Sequence, residues 1–518
     1  MKIITESLAE KLRALGESDM YPFHMPGHKR NREWADAYSS PFSSDITETE
    51  GFDNLHHPEG ILRDAMEAAA SLYGTGRTWF LVNGSTCGIL AALSAAALPG
   101  ERILMAENSH RSAFHGLVLR NLVPVFARPR IIPEYGIAGE ICPADVDRLL
   151  EEEARKGGRI RAVYVTSPTY EGVLSDIRGI AGAAHRHGIP LIVDEAHGAH
   201  LVFGKSFGES AVLCGADVVV QSVHKTLPSL TQTAVLHLCP GGEKYFSPDT
   251  LERWLRVYES SSPSYILMAS IDSCLRYMGS PEGVRAMERY EENLRKLRQD
   301  LGKLDHIRLL AGENIEPSRL VLFPEKAGGM TGKALADMLR LRFHLESEMA
   351  CRDYLILMTS LMDTPEGFMR LVKALRELDG EMDASPERNE TGGPGGVSGA
   401  EETGPSQVPA VSRNTRVMGL SEAWNAPREW IPAGLAAGRI CGDFLTLYPP
   451  GVPMALPGDR ITEEMISCIL ENRRLGLTVD GTREAGNPEE NRGEDGGERS
   501  TLVPVLLSGS EAVTEIPS

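Results

Sequence analysis

Short apolar segments alternate with helical segments through the first half of this 518-residue chain. The candidate strands are Arg102–Met105, Val123–Phe126, Ala162–Thr166, Leu191–Val193, Val218–Val220 and Ala234–Leu238. Neighbouring strands that are separated by helices run parallel, because the crossover returns the chain to the same end of the sheet. The pattern therefore predicts an α/β fold, a mostly parallel sheet with helices on both faces. Ligands of such sheets gather at the carboxyl ends of the strands.

Two residues of complementary chemistry fall at these strand ends. Asp194 closes the apolar run that begins at Leu191, and Lys225 comes shortly after Val218–Val220. A lysine beside an aspartate is what a pyridoxal phosphate (PLP) enzyme needs. The lysine forms a Schiff base, and the carboxylate keeps the pyridine nitrogen protonated so that the ring can accept electrons. A lone lysine after a strand is ordinarily a surface residue, so this interpretation depends on its neighbours.

The segment Asn83-Gly84-Ser85-Thr86 offers a place for the cofactor phosphate. It leads from an apolar strand into a helical stretch that is rich in alanine and leucine. Free backbone N–H groups and the positive end of the helix dipole suit an anion there, and two hydroxyls add donors. Similar turns cap many helices that bind nothing. Together with Asp194 and Lys225, however, the turn completes the set that PLP requires.

A series of further motifs runs through most of the chain in a fixed order. They are His24–Lys29, Ser44–Glu48, Asn83–Thr86, Asn108–Ser112, Ser167–Gly172, Asp194–His200, Ser222–Pro228, Ser260–Tyr265 and Tyr448–Pro453. In this order they resemble the bacterial ornithine/lysine/arginine decarboxylases, which are PLP enzymes of the aspartate aminotransferase fold (fold type I). The first and seventh motifs are specific to that family, whereas the Asn-Gly-Ser-Thr turn is not.

The resemblance implies a role for each of several residues. Lys225 would carry the cofactor, with Asp194 at its pyridinium nitrogen. His110 would stack on the face of the ring, and His197 would lie close to the substrate. Four further side chains would hold the phosphate: Ser85, Thr86, Ser222 and His224.

The resemblance also implies a reaction. The expected substrate is a basic amino acid, arginine before lysine and ornithine, and the products are carbon dioxide and a polyamine or its precursor. An acidic loop with Asp45, Glu48 and Asp53 would attract the distal cation of the substrate. Two alternatives stay open: an aminotransferase or another lyase of the same fold, and a non-catalytic regulatory paralogue. The intact pair of Asp194 and Lys225 disfavours the paralogue.

Composition and residue spacing limit the partners, the cellular location and the metal content that we expect. A net charge of −19 argues against a nucleic-acid partner, and no apolar run is long enough to span a membrane. Eight scattered cysteines and the lack of a signal peptide indicate the cytoplasm. The His185/His187 and His197/His200 pairs lack a third ligand at metal-like spacing, so no metal is expected. The chain resembles the short form of the family, without the large N-terminal domain of the long form, which implies a homodimer or homotetramer.

Pattern and composition predict five regions. Residues 1–55 form an N-terminal arm, 56–275 the PLP-binding large domain, and 276–380 with 414–477 a smaller α+β domain. Residues 381–413 are rich in Gly, Pro, Glu and Ser and are predicted to be a disordered linker. Residues 478–518 are predicted to be an acidic, flexible tail, although the apolar run Thr501–Leu507 leaves open whether that part docks.

Overall fold

The computed structural model of the protein describes residue 15 and residues 17–31, 44–325, 330–383, 414–448, 451–485 and 501–507. Nearly all of the predicted linker at 381–413 lies outside these ranges, as does part of the predicted N-terminal arm at 1–55.

The strands and helices of the described residues are numbered in chain order. The strands are β1 Tyr21–Phe23, β2 Arg77–Leu81, β3 Arg102–Ala106, β4 Val123–Ala127, β5 Ile131–Ile132, β6 Ile137–Ala138, β7 Ile160–Thr166, β8 Leu191–Asp194, β9 Val218–Gln221, β10 Ala234–Leu238, β11 Ile307–Leu309, β12 Arg319–Pro324, β13 Leu345–Ser347, β14 Met349–Ala350, β15 Leu355–Met358, β16 Arg428–Pro432, β17 Leu445–Tyr448, β18 Val452–Ala455, β19 Thr478–Asp480, β20 Arg483–Glu484 and β21 Thr501–Leu506. The helices are α1 Ile61–Tyr73, α2 Gly84–Ala96, α3 Arg111–Arg120, α4 Pro143–Arg155, α5 Ile177–Arg186, α6 Val223–Thr226, α7 Pro248–Tyr258, α8 Tyr265–Met278, α9 Pro281–Leu301, α10 Gly332–Phe343, α11 Pro365–Asp383, α12 Leu420–Asn425 and α13 Glu463–Arg474.

A seven-stranded sheet forms the centre of the first part, with strand order β2-β10-β9-β8-β7-β3-β4. Only β10 runs against its neighbours; the other ladders of this sheet are parallel. The predicted mostly parallel sheet is therefore confirmed. Strands β7, β8 and β9 are almost completely buried, because helices cover both faces of the sheet.

The strand register brings the expected site residues together. In the parallel ladders Thr166 stands opposite Asp194, and Asp194 stands opposite Val220. The chain then turns through the one-turn helix α6, which contains Lys225. The loops after β2 and β3 leave the same edge of the sheet, because all these strands point the same way.

A second, four-stranded antiparallel sheet has the order β11-β12-β15-β14 and packs with helices α9 to α11. Its first strands follow directly from the long helix α9. Strand β1, near the start of the described chain, pairs in parallel with β13 beside this sheet. Residues 21–23 therefore belong with the smaller sheet, although the sequence suggested an isolated arm.

Residues 414–448, 451–485 and 501–507 form a third region, which departs from the predicted division. Two three-stranded sheets, β18-β17-β19 and β16-β21-β20, enclose an apolar core of their own that includes Leu445, Ile469 and Val503. The expected flexible tail at 478–518 therefore contains ordered strands. Strand β21 is the central strand of its sheet and pairs with β16, because its buried residues Val503 and Val505 complete this core.

Candidate active site

A large cavity opens at the carboxyl edge of the central sheet and is bordered by all three regions. Five of the predicted site residues line it: Ser85, His110, Asp194, His197 and Lys225. Three others, Thr86, Ser222 and His224, are chain neighbours of these residues but lie outside the lining. Residues 349–354 of the second region and residues 468–478 of the third close the opposite wall. The site is thus assembled from segments more than 380 residues apart in sequence.

Asp194 is buried at the end of β8 with two donors to its carboxylate. The hydroxyl of Tyr164 donates to Oδ2 at 3.2 Å, and the backbone N–H of Ala196 donates to Oδ1 at 3.1 Å. Burial raises the pKa of Asp194, and the positive charge of Lys225 opposes that rise. A carboxylate in this setting can stabilise a cation within the cavity, since few other groups solvate its charge.

Lys225 and His197 are in direct contact, and the geometry determines which group carries the proton. The guanidinium of Arg319 donates from Nη2 to His197 Nδ1 at 2.8 Å, and a guanidinium cannot accept a hydrogen bond. The neutral ring therefore carries its proton on Nε2, which lies 3.1 Å from Lys225 Nζ. His197 donates to the amine, and the amine accepts with its lone pair.

The electrostatic surroundings lower the proton affinity of the amine. Burial lowers the pKa of Lys225, and the nearby carboxylate of Asp194 only partly offsets this effect. The pKa of His197 lies well below its ordinary value, because the ring is buried and then because Lys225 and Arg319 add positive charge. An unprotonated amine is a nucleophile, so the arrangement prepares Lys225 for covalent chemistry.

Arg319 is fully buried and balanced by the adjacent carboxylate of Glu316, whose Oε2 lies 3.8 Å from the guanidinium. Glu316 also accepts from His200 at 3.1 Å, and its pKa falls to about 2 despite burial, because His200 and Arg319 supply positive charge. His200 is thus a structural residue. Arg319 was not anticipated, since it begins β12 of the other sheet, 122 residues after His197.

The turn before α2 has the form expected of an anion site. Gly84 has a φ of +76°, in the left-handed region that favours glycine, and Ser85 reaches the cavity from the first turn of the helix. The carboxylate of Glu259 accepts from the backbone N–H groups of Val82 and Asn83 at 3.1 and 3.3 Å. The amides at the start of α2 itself remain directed along the helix axis. Thr86 is exposed beside them.

Two buried polar atoms of residues that line the cavity have no hydrogen-bond partner within the described chain, Oδ1 of Asn108 and Oγ1 of Thr166. A third such atom is Oγ of Ser222, three residues before Lys225 and outside the lining. The Nδ1–H of His224 donates to the carbonyl of Thr233 at 2.8 Å, and burial lowers the pKa of His224 to about 4. Because buried polar atoms are nearly always satisfied, these orphaned atoms indicate a polar ligand.

His110 caps helix α3 at the mouth of the cavity. Its Nδ1 accepts from the backbone N–H of Ser112 at 3.3 Å, which leaves the ring proton on Nε2. Burial lowers the pKa of His110 to about 3, and the charge of Lys225 adds to this effect. The ring is therefore neutral at physiological pH and presents an uncharged face, as a stacking residue requires.

The far wall of the cavity carries a group of acidic residues that the sequence did not single out. Glu171 is buried and accepts from the hydroxyls of Tyr354 at 3.0 Å and Thr169 at 3.2 Å. Burial raises the pKa of Glu171. Asp353 and Glu471 line the same wall and both contact Arg352, at 3.2 and 2.6 Å.

The acidic loop at residues 45–53 does not reach this cavity in the described chain. Both carboxylate oxygens of Asp53 accept backbone N–H groups, from Asn54 and Glu59 on one oxygen and from Gly60 and Leu62 on the other. Asp53 thus caps the start of helix α1 and does not line the cavity. Asp45 and Glu48 are exposed to solvent and lie outside the lining.

Comparison with known proteins assigns this chain to a family. Residues 7–324 match the Orn/Lys/Arg decarboxylase major domain. An arginine decarboxylase of Bacillus subtilis is 31% identical over 479 residues, covering 89% of this chain and 92% of that protein. This chain belongs to the Orn/Lys/Arg decarboxylase family. The lysine decarboxylase LdcA of Pseudomonas aeruginosa is 23% identical and covers 86% of this chain and 72% of its own. The solved lysine decarboxylase of Francisella novicida superimposes with a TM-score of 0.72 at 15% identity, over 97% of this chain and 84% of that chain.

Family membership confirms three of the sequence predictions. The chain has the fold of the PLP-dependent fold type I proteins, it is an amino-acid decarboxylase, and its cofactor is pyridoxal phosphate. The residues present fit that cofactor, because Lys225 supplies a neutral amine, Asp194 a buried carboxylate, and Ser222 a buried hydroxyl without a partner in the described chain. None of the described helices is long and apolar enough to cross a membrane.

Proposed function

We propose that this enzyme decarboxylates an amino acid whose side chain ends in a cation, with arginine favoured over lysine and ornithine. The carrying observation is the charge of the residues that line the cavity around the expected cofactor residues. They include the carboxylates Glu171, Asp353 and Glu471, and Arg352 is the guanidinium among them. A wall with an excess of carboxylates attracts a cationic side chain and disfavours an acidic one.

PLP, when bound, supplies the electron sink that makes loss of the α-carboxylate possible. Lys225 would attach it covalently, and Asp194 would hold the ring nitrogen in its protonated form. Ser85, Thr86, Ser222 and His224 would hold the phosphate. His110 would cover one face of the ring.

His197 would position the amine at the reacting end of the substrate by donating a hydrogen bond. Its Nε2–H points at the amine of Lys225, and the Nδ1 contact with Arg319 keeps this orientation. The ring can therefore donate at Nε2 but cannot take a second proton at Nδ1 without displacing Arg319. This asymmetry suits a group that positions an amine and does not become charged.

Glu171 is the residue best placed to select the distal cation. The described residues that donate to its carboxylate are neutral hydroxyls, whereas Asp353 and Glu471 already contact a guanidinium. A buried carboxylate without a cation gains most when a charged side chain arrives. Each of its oxygens accepts one hydroxyl and retains a lone pair, so it can receive the two-pronged guanidinium of arginine, which an ammonium cannot reproduce.

The deciding experiment is incubation of the PLP-loaded enzyme with arginine, lysine and ornithine separately, with the released amine and carbon dioxide measured. Arginine should give the highest kcat/KM, and Lys225→Ala should abolish release from all three. A clear preference for lysine would overturn the ranking alone. Equal turnover of glutamate or an aromatic amino acid would overturn the basic-substrate proposal itself.

The setting of the enzyme is a further part of the proposal: a cytoplasmic homodimer or homotetramer that supplies polyamines. Large apolar side chains are exposed at Phe52, Ile61 and Val257. Their segments are tied together, since His56 Nε2 lies 2.7 Å from the carbonyl of Ser260. Light scattering of the purified enzyme should give at least the mass of a dimer, and a monomer at micromolar concentration would refute this part.

A further inference from the structure

We propose that residues 24–29, the motif His-Met-Pro-Gly-His-Lys, are a positioning segment that holds the loop of Lys225 in place, with Gly27 as the point of contact and Lys29 as the anchor. The proposal rests on the proposed attachment of the cofactor to Lys225. It gives a role to the motif that the reaction itself leaves unexplained.

The contact between the segment and the Lys225 loop is made by backbone atoms. The N–H of Gly27 donates to the carbonyl of His224, the residue before Lys225, at 2.7 Å. A Cβ atom added to Gly27 would lie 2.8 Å from the carbonyl oxygen of Leu227 and 3.0 Å from its nitrogen. Such contacts are closer than a side chain tolerates, so Gly27 is required by this close approach. The segment therefore contacts the loop on both sides of Lys225, at His224 and at Leu227.

The other side of the segment is fastened to the second region of the protein. Ser360 Oγ donates to the carbonyl of Gly27 at 2.5 Å. The ammonium of Lys29 donates to the carbonyls of Met358 at 2.6 Å and His24 at 3.0 Å. Met358 ends strand β15, so the segment joins the Lys225 loop of the central sheet to the edge of the smaller sheet.

Lys29 is almost fully buried, which is costly for an ammonium unless it is compensated. Burial lowers its pKa, whereas the charges of Asp363 and Glu348 raise it and that of Arg319 lowers it further. Asp363 is held in turn by the Tyr21 hydroxyl at 3.0 Å and the Ser360 N–H at 2.7 Å. The anchor is therefore built into a network of bonds and charges and is not a surface lysine that happens to be covered.

A second connection leads from the same segment to the other side of Lys225. The backbone N–H of Met25 donates to Glu348 Oε2 at 2.9 Å, and the hydroxyl of Tyr170 donates to Glu348 Oε1 at 2.8 Å. The ring of Tyr170 meets that of His197 edge-on at 5.2 Å, and His197 contacts Lys225. The segment thus supports the amine both through its own loop and through the histidine that hydrogen-bonds to it.

Gly27→Ala tests the proposal, since the added methyl group must push the Lys225 loop by several tenths of an ångström. The rate at which PLP attaches to Lys225 in the apoenzyme, followed by absorbance, should fall about 10- to 100-fold, and kcat should fall similarly with KM within about threefold. Gly434→Ala is the matched control, because a Cβ there meets no atom within 4 Å. It should leave both rates unchanged.

The anchor is tested by Lys29→Met and Lys29→Arg. The methionine removes both donors and should slow attachment about 10-fold or more, whereas the arginine retains donors and should restore part of the rate. Ser360→Ala loosens the segment without a clash and serves if Gly27→Ala does not fold. The proposal is overturned if the rate of PLP attachment in Gly27→Ala stays within twofold of wild type; the same holds for Ser360→Ala if that variant replaces it. A loss of thermal stability without slower attachment also overturns it. Attachment does not depend on the amino-acid substrate, so an incorrect substrate proposal leaves this test intact.

Discussion

The carboxylate of Asp194 accepts a hydrogen bond from one side chain in the described chain, that of Tyr164. Removing this donor is the sharpest test of the site. Tyr164 is fully buried in β7, and its hydroxyl donates to Asp194 Oδ2 at 3.2 Å. The other donor found in the described chain is the N–H of Ala196. Tyr164→Phe keeps the shape of the ring and removes only the hydroxyl, so packing around the sheet is preserved.

The size of the effect follows from the hydrogen bond. A bond to a charged group contributes about 1.5 to 3 kcal/mol, and a length of 3.2 Å places this one near the lower end. About 1.4 kcal/mol corresponds to one pKa unit. Burial already raises the pKa of Asp194, and the substitution should raise it by about one unit more. The charge of Asp194 matters most when electrons move onto the cofactor ring, so kcat should fall about 10-fold with little change in KM.

The assay is the pH profile of carbon dioxide release by the wild type and the variant. Because the carboxylate must be ionised, a higher pKa should move the acid limb of the profile upward by about one pH unit. Tyr290→Phe is the matched control, since Tyr290 is equally buried but donates to or accepts from Thr359, at 2.8 Å, away from Asp194. Equal profiles for the wild type and Tyr164→Phe, or the same shift in both variants, would refute the argument.

Three further substitutions probe other contacts of the site. Arg319→Gln should free the Nδ1 of His197, lower kcat about 100-fold and change the ring tautomer seen by ¹⁵N NMR, and an unchanged tautomer would contradict the proton assignment. Burial raises the pKa of Glu195 to about 7 in the folded protein, above its value in the unfolded chain. The stability that this carboxyl contributes is therefore fully present below about pH 4.5 and is lost as the pH rises through 7. Glu195→Gln should remove this loss, and urea unfolding at pH 5 and pH 8 should show the variant gaining about 3 kcal/mol relative to wild type between the two; a pH-independent difference would refute it. Glu171→Gln should raise the KM for arginine about 10-fold or more while Glu209→Gln, on the surface, leaves it unchanged, and an equal KM in both variants would remove Glu171 from the substrate site.

Local patterns predicted the central sheet well, because its information lies within short segments. Strand β10 was predicted with both of its ends correct, and β7 was found to begin two residues earlier than predicted. Buried parallel strands are continuous apolar runs, and each can be recognised without knowing its partner. Lys225 and Asp194 could be found for the same reason, since both follow such runs directly.

The residues that complete the site could not be found in this way. Tyr164 is the fifth residue of a buried strand and has the pattern of an ordinary core aromatic. Arg319 starts a strand of the other sheet, and nothing near it in sequence indicates His197. Strand β21 follows a long acidic stretch, and its partner β16 ends about 70 residues earlier. Each of these contacts depends on how distant elements pack, which a local pattern does not contain.

Asp53 shows the opposite error, in which a chemically suggestive residue has a purely structural use. It has a φ of +69° and lies just before α1, where its carboxylate receives four backbone N–H groups. Backbone hydrogen bonds lower its pKa to about 2, which keeps it ionised as a helix cap. Carboxylates that do line the cavity, such as Glu171, lie in other segments of the chain.

The charges and the burial around Lys225 together lower the pKa of its amine. Asp194 favours the ammonium form, but burial and the guanidinium of Arg319 favour the neutral amine. Arg319 adds a second effect through His197, because it reserves Nδ1 and so directs the only ring proton at the amine. If Lys225 were protonated, Nζ and Nε2 would each offer a hydrogen to the other across 3.1 Å. The contact is therefore satisfied by the neutral pair, and the buried arginine, which contacts His197, lowers the pKa of the lysine further.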